Sequence, residues 1–134
     1  MLVYINWLSV IAGTIISLLL GMVWYSPTVF GTPWMRLSKI TPNAQDLKNM
    51  HYTLLGAALV GFTLSLGMAW IVAMNKPHSF VAGMYKGLWL WLFFIVPTHF
   101  SSVVWEKKPW ELFLIHVGYF GVFFGLIGGL MALW

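Results

Sequence analysis

Four apolar runs set the limits on this chain. They occupy about residues 3–26, 52–74, 86–105 and 110–133, and each is near the ~20 residues that carry a helix across a bilayer core. Inside lipid every backbone N–H and C=O must be satisfied within the segment, which makes each run a helix. Strand-like alternation is missing, so a barrel is not indicated. Charge agrees, because only 7% of the 134 residues are Asp, Glu, Lys or Arg, against roughly 25% in soluble domains. So few charges cannot coat a water-facing surface of this size. The sequence therefore predicts an all-α integral membrane protein, a single domain over 1–134 built as an antiparallel bundle of four transmembrane helices. The first run has no Lys or Arg before Arg36 and no small-residue cleavage site, so it reads as a retained span rather than a signal peptide.

The stretch Gly21 to Lys39, "GMVWYSPTVFGTPWMRLSK", ends the first span. Trp24 and Tyr25 read as membrane-interface residues with their polar tips at the headgroups. Pro27 pushes the residue before it out of helical geometry and turns the chain out of the membrane. Thr32-Pro33 and Thr41-Pro42 each read as an N-cap followed by proline at the first helical position. Between them a short interfacial helix is expected, with Phe30, Trp34, Leu37 and Ile40 towards lipid and Arg36 and Lys39 towards water. Pro97 lies within the third run, where it removes a helical donor and should kink the helix.

Orientation follows from the basic residues. Arg36, Lys39, Lys48, Lys107 and Lys108 lie on one side and Lys76 and Lys86 on the other, which makes the first set cytoplasmic and both termini extracytoplasmic. Trp24, Trp34, Trp105 and Trp110 gather at the cytoplasmic edge. The net charge of +4 is thus membrane-flanking charge, with no nucleic-acid partner implied.

Small residues recur every fourth position in three spans: Gly13, Ser17 and Gly21; Ala57, Gly61, Ser65 and Ala69; Gly121, Gly125 and Gly129. Such stripes let helix backbones approach in lipid, where van der Waals contact drives association. In the fourth span the glycines occupy one face. His116, Phe120, Phe123, Ile127 and Trp134 occupy the other. With the glycine face serving the bundle, the aromatic face points to a partner subunit or ligand.

Chemistry is sparse. Cysteine is absent, which removes disulfides and thiolate sites. No hydrolase or phosphate-loop motif occurs. His99 and His116 fall at similar depths on either side of the Lys107-Lys108 turn, and a neutral imidazole can ligate a metal or haem. The alternative is that each histidine bonds a carbonyl, a hydroxyl or a headgroup. Lys86 reads as an interface lysine whose charge snorkels to water.

At Asn6-Trp7, Trp24-Tyr25-Ser26-Pro27, Phe30-Gly31, Trp34-Met35 and Gly118-Tyr119, the chain resembles a family of small bacterial membrane proteins known only as a domain of unknown function. The resemblance runs along almost the whole chain. It implies a four-helix membrane protein of the bacterial plasma membrane and no activity. Asn is more usual near position 116 in that family, so histidine chemistry would belong to this chain alone. The functional reading is a non-enzymatic structural, accessory or assembly component that forms a homo-oligomer or joins a larger membrane complex. A small dimeric transporter or channel is the first alternative, weakened by the placement of all three carboxylates at span ends or in connections. A haem- or metal-binding protein using His99 and His116 is the second, with no cofactor required by the first reading.

Overall fold

The structure, a computed structural model, describes residues 4–134. Its elements are α1 (Trp7–Trp24), α2 (Gly31–Leu37), α3 (Ala44–Lys48), α4 (Met50–Asn75), α5 (Phe80–Leu90), a π turn (Trp91–Ile95), α6 (Val96–Trp105) and α7 (Trp110–Met131). The helices α1, α4, α5–α6 and α7 are each long and apolar enough to cross a membrane. The expected start of the first span at residue 3 lies outside the described residues. The third span starts at Phe80 rather than at residue 86, because Ser79 caps it by accepting from the Ala82 N–H at 3.2 Å. Lys86 consequently sits in the second turn of a spanning helix.

Local chemistry fixes the helix ends. Asn6 caps α1, its side-chain oxygen accepting from Leu8 at 3.0 Å and Ser9 at 3.4 Å. Asn43 and Asp46 form a reciprocal capping box on α3, which satisfies two otherwise orphaned N–H groups. The N-cap is thus Asn43 and not Thr41, since the proline at 42 lies one residue outside the helix. Likewise α2 begins after Phe30, and the Thr32 hydroxyl instead bonds the Pro27 carbonyl at 3.2 Å. Between α1 and α2 the chain folds back on itself: the Phe30 N–H reaches the Trp24 carbonyl at 3.0 Å and the Gly31 N–H the Ser26 carbonyl at 2.8 Å. A methyl group on Gly31 would strike the Tyr25 carbonyl, so this reversal requires glycine there.

Two close helix pairs form on small residues. Between α1 and α4, Gly13 lies against Ser65 and Ser17 against Gly61. Residue numbers rise along one helix as they fall along the other, so the two run in opposite directions. Between α5 and α7, Gly83 meets the backbone at Gly128, Gly87 meets it at Phe124, and Trp91 covers Gly121, again with opposed directions. The helix α7 touches α1, α4, α5 and α6. It is the centre of the molecule and carries most of the buried core, including Phe123, Phe124, Ile127 and Met131 around Val10 and Met68.

That centrality overturns the expected division of α7 into a bundle face and an outward aromatic face. Phe123 is 0% exposed. Phe120 packs against the core from its edge, and His116 is half-buried. A helix surrounded on several sides buries more than one stripe, so glycines and aromatics both face protein. The glycine face takes α5, and the aromatic face takes α1, α4 and His99 of α6.

The third span is the least embedded. Only Gly83 and Gly87 are buried along α5, and none of the residues of the π turn or α6 is. The π turn ends at Ile95, two residues before Pro97. The Val96 N–H bonds back to the Trp91 carbonyl, a wider turn that absorbs the donor missing at proline.

Candidate functional site

Polar side chains inside the bundle converge on the half of α7 nearest α6. The Trp24 indole N–H donates to the Ile115 carbonyl at 3.0 Å, the Trp91 indole to the Val117 carbonyl at 2.7 Å, and the Tyr119 hydroxyl to the Ser17 carbonyl at 2.9 Å. The Tyr25 hydroxyl lies 2.9 Å from His116 Nδ1. Each of these bonds joins α7 to another span or its end. In membrane proteins such bonds contribute about 0.6 kcal/mol on average and up to about 1.7.

Trp24 and Tyr25 therefore do not hold their polar tips at the headgroups, as their position at a span end suggested. Both turn inward, because α7 offers acceptors within reach while the chain reverses after Tyr25. The Trp24 ring lies over Gly118, whose added methyl would meet it at 3.0 Å. Aromatic neighbours close the cluster from outside. Phe30 packs tilted on Trp24 with centroids 4.8 Å apart, and Trp34 on Tyr25 at 5.1 Å. Trp34 thus covers a tyrosine, and Arg36 and Lys39 are exposed. Trp105 is 82% exposed and Trp110 55% exposed.

His99 and His116 do come together. Their ring centroids are 6.1 Å apart, tilted by 44°. His99 Nδ1 lies 3.0 Å from the Ile95 carbonyl, and its ring packs on Phe120 at 5.2 Å. Both line a groove of about 280 Å³ between α6 and α7, with Thr98, Ser102 and Lys108. The Lys108 ammonium is 2.6 Å from the Glu106 carboxylate. Among the described residues no group of three or more His, Cys, Asp or Glu is placed to hold a metal ion.

A second, apolar cavity of about 420 Å³ opens between α1, α4 and α7 on the other side of His116. It exists because the α1–α4 contact ends early. Gly21, expected to continue the small-residue stripe, has only the Tyr119 ring near it, at 3.9 Å, and Ala57 is exposed. Of the remaining expected packing residues, Gly13, Ser17, Gly61 and Ser65 sit at the α1–α4 contact. Gly121, Gly125 and Gly129 face Trp91, Leu88 and Phe80. Sequence reasoning missed Gly83, Gly87 and Gly128, at which the backbones of α5 and α7 meet, and it missed the inward bonds of Trp24 and Trp91. The four-residue spacing of Gly83 and Gly87 was a usable signal, but the late start given to the third span left Gly83 outside it.

Together the fold and this cluster define a multi-pass α-helical membrane protein. The chain belongs to the family described as protein of unknown function (DUF1761), whose model matches residues 8–132. No curated protein and no solved structure matches it.

Proposed function

We propose that the chain is a non-enzymatic structural component of the bacterial plasma membrane that self-associates or packs within a larger membrane assembly. The observation that supports this most directly is the use made of the polar side chains within the spans. Trp24, Tyr25, Trp91 and Tyr119 bond α7 to its neighbours, which spends them on holding the bundle together. No carboxylate lies deeper than Glu111, in the first turn of α7, which leaves proton-coupled transport without its usual side chain.

The contact surface in this reading is the outer face of the third span, not the aromatic face of α7. Tyr85, Trp89, Leu92, Phe93 and Phe94 are all exposed there, on the span that the bundle itself embeds least. The segments 28–51 and 106–109 are cytoplasmic in this reading, and both ends of the chain are extracytoplasmic.

Photo-crosslinkers at Phe93 and Phe94, at native expression level, test the surface. Adducts with a second copy or another membrane protein support the proposal. Lipid adducts alone at both positions refute it. A crosslinker at Phe62, exposed on α4, reports the lipid background.

A further inference from the structure

We propose that His99 and His116 form a binding site for one copper ion, held between the Nε2 atoms of the two imidazoles in the groove between α6 and α7. The hydrogen bonds on the far side of each ring prepare it for this. A carbonyl only accepts, so the contact of His99 Nδ1 with the Ile95 carbonyl places the ring hydrogen on Nδ1 and leaves a lone pair on Nε2. His116 Nδ1 faces the Tyr25 oxygen. The tautomer that donates to this oxygen likewise frees Nε2. Metal-ligating histidines are held in this way, with the second ring nitrogen donating to a carbonyl or another oxygen that fixes orientation and tautomer.

Ligand number selects the ion. The ring centroids lie 6.1 Å apart, a separation that one ion shared by two imidazoles, each with nitrogen about 2.0–2.1 Å from it, allows. Zinc takes four ligands, and no third His, Cys, Asp or Glu joins the pair among the described residues. Monovalent copper accepts two nitrogens. Divalent copper heads the affinity order for nitrogen sites. The groove of about 280 Å³ holds an ion with water and falls below the roughly 300–1,000 Å³ of sites for larger organic ligands, which disfavours haem. Lys108 also lines the groove, but the adjoining Glu106 carboxylate offsets its charge.

The site is tested by titrating the purified protein with monovalent copper, under reducing conditions, against a chromophoric copper chelator. One copper per chain is expected, with His99→Gln and His116→Gln each lowering affinity more than tenfold. The double variant His51→Gln/His78→Gln should bind as the natural chain does. Tyr25→Phe should weaken binding about tenfold or more through the lost second-shell bond. X-ray absorption of the loaded natural chain gives a reading independent of variant folding. Two nitrogen neighbours support the site, and sulfur neighbours, which the methionines would supply, overturn it. Equal copper binding by the natural chain and both single variants overturns it as well. So does histidine-dependent binding of zinc without binding of copper.

Discussion

The contact between α5 and α7 makes a sharp prediction about two glycines that look alike in the sequence. A methyl added at Gly83 would strike the Gly128 carbonyl and lie 2.5 Å from the Ala132 methyl. Ordinary carbon contacts are about 3.5–4.0 Å, so the helices would have to part by roughly 1–1.5 Å. A backbone carbonyl cannot rotate away, and Gly87 against Phe124 lies on the same seam, so both contacts open together. Overpacking of this kind costs about 1–3 kcal/mol, and the immobile partner places Gly83→Ala at the upper end. The better helix propensity of alanine returns about 1 kcal/mol, for a net loss of about 2. At Gly67 an added methyl meets nothing within 4 Å, so Gly67→Ala keeps the gain of about 1 kcal/mol. The two variants should differ by about 3 kcal/mol and move in opposite directions. Reversible unfolding in mixed micelles, titrated with a denaturing detergent, reads both. Shifts of the same sign and similar size would refute the α5–α7 seam.

Three further outcomes follow from single contacts. Ser65 is fully buried, and its hydroxyl has no hydrogen-bond partner among the described residues, so Ser65→Ala should stabilise by about 1 kcal/mol as an unmade bond is removed; the same unfolding titration checks it, and a loss would show a partner is present. Trp24→Phe removes the indole donor to Ile115 while keeping most of the ring, and should lower stability by about 0.6–1.7 kcal/mol, whereas Trp105→Phe, at an exposed ring, should change it little in the same assay. Cysteines placed at His78 and Gln45, both exposed, should divide in intact cells: an impermeant thiol reagent should label position 78 and spare position 45, and the reverse pattern would invert the topology.

The four spans were legible because length and hydropathy alone decide them. The small-residue stripes of α1 and α4 were legible too, since Gly13, Ser17, Gly61 and Ser65 repeat at helical spacing, but their pairing with each other was not, because a stripe does not name the helix it meets. Nor was the face of α7. Periodicity tells which residues share a side, but not how many sides are covered, and α7 is covered on several. Phe123 was therefore assigned outward and lies in the core. The inward turn of Trp24 and Tyr25 was hidden for a related reason. Aromatics at a span end satisfy their polar atoms equally well at a headgroup or on a neighbouring helix. Only the chain reversal at Ser26 and Gly31, with acceptors on α7 beside it, selects the second. The start of the third span was misplaced by Lys86, whose charge reads as a boundary although the helix has already run from Phe80. Of the candidate site, the pairing of His99 with His116 followed from their depth on either side of a short turn, while the Tyr25–His116 bond links residues 91 positions apart and has no local signature.

The reading of this protein as a packing component is tested most directly by the mass of what it forms in its own membrane. Native mass spectrometry of complexes released from membrane vesicles at native expression level should show multiples of the chain mass, or that mass joined to a second protein in fixed ratio. Substituting Phe93 and Phe94 with alanine together should dissociate that species and leave the monomer folded. A natural chain found only as a monomer with bound lipid would contradict the account.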